Sequence, residues 1–164
     1  MATLLDRVQI AAGFVPVDMA TGANNGKWVN LTYYGRILIV FYKAAGSGSE
    51  DPVLTIQQAS DVSGTGAKSL TFTTYYKNSG ADLGAIGLWT QVTQSAANTC
   101  TLEGSEQTIC AVEFQKSDLD VANSFDCVRA TVADVGATAQ VGCVFYLLGD
   151  PTTTLRLLPS AIAD

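Results

Sequence analysis

The chain has 164 residues, a length that suits one domain or one domain with a structured arm, and 48% of them are hydrophobic, enough to fill a continuous core. Only 15% are charged, below the roughly 25% of an average soluble domain, which leaves much of the surface neutral or apolar, as in proteins that work inside assemblies. The net charge is −6, and the basic residues Arg7, Lys27, Arg36, Lys43, Lys68, Lys77, Lys116, Arg129 and Arg156 are scattered with no two adjacent, which argues against direct nucleic-acid binding.

In chain order, the start (Met-Ala-Thr-Leu-Leu-Asp-Arg) lacks the basic and apolar regions of a signal peptide, so synthesis and folding in a cytoplasm are expected. Residues 4–12 are expected to form a short helix with Leu4, Leu5 and Val8 on one side. A turn-prone stretch at 22–26 precedes a short strand at 28–31. Residues 36–43 (Arg-Ile-Leu-Ile-Val-Phe-Tyr-Lys) form a β-branched and aromatic run that reads as a strand buried on both faces. Its apolar part, residues 37–42, is far shorter than the roughly 20 residues of a membrane-spanning helix, so no membrane partner is expected.

After a Gly/Ser loop at 46–52, residues 53–57 alternate, with Val53 and Thr55 on one side and Leu54 and Ile56 on the other. Residues 70–76 alternate too, with Leu70, Phe72 and Thr74 on one face. Residues 86–92 set Ile86 and Leu88 opposite Trp89. Strands are expected at 107–114, 127–132 and 140–148, with one or two helical turns at 117–123, where acids follow an N-cap serine. The pattern predicts a mainly β fold, an antiparallel β-sandwich, jelly-roll-like or barrel, with one or two short helices and extended terminal segments. Residues 1–150 read as one β-rich domain with an N-terminal segment, and 151–164 as a C-terminal arm. In that arm Leu155, Leu157, Leu158 and Ile162 must be buried, either on their own domain or on a neighbouring subunit.

Histidine is absent, which removes Ser-His-Asp and Cys-His activation and the commonest metal ligand. The carboxylates Glu50 and Asp51, Glu103 and Glu106, and Asp118 and Asp120 read as solvated acids and helix caps. They fit neither a facing glycosidase pair nor a calcium loop. Residues 63–69 echo a phosphate loop, but Ala67 stands where glycine must precede the lysine and a β run follows. Asn30-Leu31-Thr32 matches a glycosylation sequon, which carries no weight without secretion. No catalytic residue, cofactor site or metal site is expected. Cys100, Cys110, Cys127 and Cys143 read as buried thiols, and a Cys100–Cys110 bridge across a hairpin is one pairing among the connectivities that four cysteines allow. The paired aromatics Tyr33-Tyr34 and Tyr75-Tyr76 each send one ring inward and one outward. Trp28 and Tyr34 are the expected outward aromatics, candidates for a sugar- or protein-binding face.

Three stretches, Gly22-Ala-Asn-Asn-Gly-Lys-Trp-Val-Asn-Leu, Tyr34-Gly-Arg-Ile-Leu-Ile-Val-Phe-Tyr-Lys-Ala-Ala-Gly and Asp51-Pro-Val-Leu-Thr-Ile-Gln-Gln-Ala, resemble small virion proteins of tailed bacteriophages. So do Phe125-Asp-Cys-Val-Arg-Ala and Leu158-Pro-Ser-Ala-Ile-Ala-Asp. The likeness covers most of the chain and points to head decoration, or cement, proteins. It carries over no functional residue. The resemblance implies a non-enzymatic β-rich homo-oligomer, a dimer or trimer, made in the host cytoplasm and bound to the major capsid protein on the capsid exterior. It would act by bridging capsomers. Leu4, Leu5, Val8, Leu155, Leu157, Leu158 and Ile162 are the candidate interface. The alternatives are another virion module (tail tube, neck or fibre-associated) and a carbohydrate-binding β-sandwich.

Overall fold

Runs of Val, Ile, Thr, Tyr and Phe favour extended backbone because branched and aromatic side chains pack well on a pleated surface. They supply the main elements among the described residues. The computed structural model describes residues 4–82, 88–153 and 160–162. Among them are β1 (Val8–Asp18), β2 (Asn24–Asn25), β3 (Val29–Asn30), β4 (Tyr34–Lys43), β5 (Val53–Ala59), β6 (Lys68–Ser69), β7 (Phe72–Gly80), β8 (Thr90–Ala97), β9 (Thr99–Thr101), β10 (Gln107–Gln115), β11 (Cys127–Val132) and β12 (Val141–Pro151).

They form two antiparallel sheets. The first runs β1-β12-β4-β10-β7-β8, and the second runs β2-β11-β5-β6, with β3 on β11 and β9 on β5. The first sheet is open, ending on β1 and β8, so the fold is sandwich-like rather than a closed barrel. One core fills the space between the sheets. Ile37, Ile39 and Phe41 of β4, Val112 and Phe114 of β10, and Val144, Tyr146 and Leu148 of β12 meet Leu54 and Ile56 of β5 and Val128, Ala130 and Val132 of β11.

The expected strands are found with shifted ends, and 127–132 matches in full. The helix expected at 4–12 is not there. Leu4–Asp6 make a single 3-10 turn and β1 follows. Gly13 and Pro16 are poor helix residues, and pairing along β12 from Val8↔Gly149 to Asp18↔Val141 overrides the local apolar spacing. Where one or two helical turns were expected at 117–123, there are 3-10 turns at Lys116–Asp118 and Val121–Asn123. On β7 a register shift between Phe72 and Thr74 ends the expected alternation, and Tyr75 rather than Thr74 enters the core.

Ile86, Leu155, Leu157 and Leu158 lie outside the described residues. Leu88 and Trp89 are exposed and precede β8. Of the C-terminal arm, Pro151 closes β12 against Tyr34. Ala161 is buried on the chain's own domain: its N–H donates to the Gln9 side chain and its carbonyl accepts from the Asn30 N–H. No described helix is long and apolar enough to cross a membrane.

Candidate functional site

Side chains alternate across a strand, so the core residues of β4, β10 and β12 leave the intervening ones on the other face of the first sheet. Strand register lines these up in rows. One row crosses five strands: Ala12 (β1), Phe145 (β12), Val40 (β4), Ala111 (β10) and Tyr76 (β7). The next places Ile10, Leu147 and Leu38 beside Glu113, and the row on the other side holds Cys143, Tyr42 and Ile109 beside Asn78. Val40 and Ala111 in the middle are buried, while Ile10, Tyr42 and Tyr76 around them are 60%, 45% and 44% exposed.

Charge in these three rows is confined to Glu113. Its carboxylate pairs with Arg36 at 3.2 Å, and Arg36 also holds Asp150. Both acids raise the Arg36 pKa, Asp150 more than Glu113. Two shallow hollows flank the apolar rows. One of about 220 Å³ lies over Pro16, Tyr42, Val141 and Cys143, and one of about 210 Å³ over Val8, Leu38, Leu147 and Gly149. Burial raises the Cys143 pKa, which keeps its thiol protonated at neutral pH rather than an activated nucleophile.

One end of this sheet is pinned by polar contacts. Lys43 is 1% exposed, and its ammonium donates to the carbonyls of Ala44, Gly104 and Glu106. The Gly104 carbonyl also accepts from the Gln140 side chain at 3.1 Å and from the Gly46 N–H at 2.8 Å. Gly104 is glycine for a steric reason: a Cβ there would lie 2.2 Å from the Ser47 carbonyl oxygen. The neighbouring Glu50 carboxylate accepts the N–H groups of Ala137 and Thr138, which hold its pKa below the ordinary value.

The sequence-derived acids are engaged locally. Asp51 accepts the Gly104 N–H, Asp118 accepts the Gln115 N–H, and Asp120 holds Lys68 and Asn123. Glu103 accepts the Ser105 hydroxyl. Among the described residues no three His, Cys, Asp or Glu are grouped to hold a metal. The phosphate-loop echo is a tight turn around Asp61, which accepts the N–H groups of Ser63 and Thr65, and β6 follows it.

The two aromatics expected to point outward are buried. Trp28 is 7% exposed, packed with Ala59, Cys127 and Val62 and covered by the Arg129 guanidinium at 4.6 Å. Tyr34 is 2% exposed. The turn closed by its N–H on the Leu31 carbonyl sends its ring into the core and Tyr33 outward. Within each tyrosine pair one ring is in and one is out, with Tyr75 in and Tyr76 out. Of the expected interface residues, Leu4 and Leu5 are exposed ahead of β1, Val8 is half-buried beside the second hollow, and Ile162 is partly exposed.

No family model, curated protein or solved structure matches this chain.

The residues that sequence reading missed are Ile10, Tyr42, Tyr76 and Phe145. The signal was the unbroken run of β4, which is apolar on both faces. One of those faces meets the second sheet, and the other carries the exposed rows.

Proposed function

We propose that the chain is a structural binding module whose apolar sheet face docks on a larger protein assembly. Its resemblance to phage cement proteins names that assembly as a capsid shell. The observation that carries the reading is the uncharged row from Ala12 to Tyr76, flanked by exposed Ile10 and Tyr42. Burying a side chain such as Ile or Phe is worth about 1.5–3 kcal/mol, so a few such residues covered together favour a stable complex. Aromatic residues in flat, water-excluding patches commonly dominate such interfaces. Binding only the expanded shell would stabilise that state by mass action, and several linked contacts would add avidity. The sugar-binding alternative rested on Trp28 and Tyr34, both of which are buried.

The test is the copy number of the chain in purified particles, by quantitative mass spectrometry against the major capsid protein, together with shell binding of Ile10→Glu and Tyr42→Glu. Near-equal copy number and lost binding of both variants are expected. A count fixed at one ring would move the protein to the tail or neck, and undiminished binding would remove the sheet face from the reading.

A further inference from the structure

Cys100 and Cys110 stand on different sheets. Cys100 is the middle residue of β9, paired with Leu54 of β5, and Cys110 lies on β10 between Phe41 of β4 and Lys77 of β7. The pair therefore spans the sandwich, not one hairpin. Their sulfurs are 3.9 Å apart, with Cys110 fully buried and Cys100 3% exposed. A disulfide needs an S–S distance of about 2.0 Å, so the sulfurs must approach by roughly 1.9 Å. A side-chain rotation together with a shift of the three-residue β9 would have to supply that movement. The other two cysteines have different settings. Cys127 is buried in the separate cluster with Trp28 and Ala59, and Cys143 is half-buried on the opposite face of the first sheet.

We propose that Cys100 and Cys110 form an oxidisable modification site, a pair that closes into an inter-sheet disulfide when the folded protein meets a peroxide. The inference does not depend on the function proposed above. Cys100, the only one of the two with any solvent access, reacts first. Its sulfur attacks one peroxide oxygen, an S–O bond forms, the O–O bond breaks, and the departing hydroxide takes the thiol proton as water. The Cys110 sulfur then attacks the Cys100 sulfenic acid, the S–S bond forms, the S–O bond breaks, and a second water leaves with the Cys110 proton. Two thiols and one hydrogen peroxide thus give one disulfide and two waters. The hydrogen-bonded Cys100 thiol and, after it, burial hold Cys110 strongly protonated, so closure is slow and requires β9 to open transiently. The product joins the sheets through a short loop, which restricts the unfolded chain.

The test treats the full-length protein with hydrogen peroxide, alkylates it under denaturing conditions and digests it after glutamate. Glu103 and Glu106 lie between the two cysteines, so cleavage there puts them on separate peptides. The expected result is a joined Cys100–Cys110 peptide pair that dithiothreitol separates, Cys127 still alkylated, and a Tm raised by roughly 5–10 °C. Cys143→Ser should retain the joined pair and the Tm rise, and Cys100→Ser should lose both. Full alkylation of Cys100 and Cys110 after treatment would overturn the proposal. So would joining to Cys127 or Cys143 in equal yield. The wild-type peptide map alone decides the matter if Cys100→Ser does not fold.

Discussion

The hydroxyl of Tyr146 lies 3.0 Å from the backbone nitrogen of Ala130, so a core side chain of the first sheet accepts a main-chain N–H from the second. The same hydroxyl donates to the Lys27 carbonyl at 3.0 Å. The second contact falls just before β3, where Gly26 donates to the Ala130 carbonyl. Tyr146 thus sets the relative position of three segments from within the core. Tyr146→Phe keeps the ring and removes both bonds, leaving the buried Ala130 N–H unpaired. A loss of about 1–3 kcal/mol in urea unfolding is expected, with the m-value unchanged.

Lys43 holds the carbonyls of Ala44, Gly104 and Glu106 at the end of the first sheet pinned by polar contacts. Lys43→Met fills the same space and removes the ammonium donor from the Ala44 and Glu106 carbonyls, while Gly104 keeps Gln140 and Gly46, which should cost about 1–3 kcal/mol. Burial lowers the Lys43 pKa, against the opposing pull of Asp51, Glu106 and Glu103. Between the folded and unfolded values the unfolded chain binds more protons, so this group's contribution rises with pH through the lowered folded pKa toward 10.5. The stability gap between wild type and Lys43→Met should therefore widen between neutral pH and pH 10. A gap that narrows over this range would contradict the buried ammonium.

Glu50 titrates in the opposite sense. The N–H groups of Ala137 and Thr138 stabilise its charged form and lower its pKa below 4.5. Its contribution is present above that ordinary value and disappears as pH falls through the folded one. Glu50→Gln should be less stable than wild type at pH 7 and match it in strong acid. Thermal unfolding across the acid range checks this.

Leu4 and Leu5 are exposed and precede β1, so neither belongs to the core. Replacing both with serine should change stability by less than about 0.5 kcal/mol. If the proposed docking on a capsid shell uses the N-terminal segment, the same change should weaken that binding without altering Tm. Unchanged binding would confine the docking surface to the sheet face.

Much of the fold was legible because strand residues carry their own signal. The β4 run is too branched and too short for an ordinary helix, and residues 53–56 alternate on β5 as expected. The candidate face was half legible. Residues 36–43 show that both sides of β4 are apolar, and they cannot show that only one side meets another layer. Ile10 was hidden for another reason: residues 4–12 have spacing that suits a helix, and only pairing with β12 makes them a strand.

The chain's composition and periodicity determined a β-rich protein without histidine chemistry, because residue type and alternation are local properties. Tertiary structure decided which alternating residues faced the core. It buried Trp28 under Arg129 and turned Tyr34 inward at the Leu31 turn. It also set Cys100 against Cys110 across the sandwich and aligned Ala12, Phe145, Val40, Ala111 and Tyr76 in one row. Those outcomes depend on register and sheet stacking, which join residues far apart in sequence and leave no mark on any one segment.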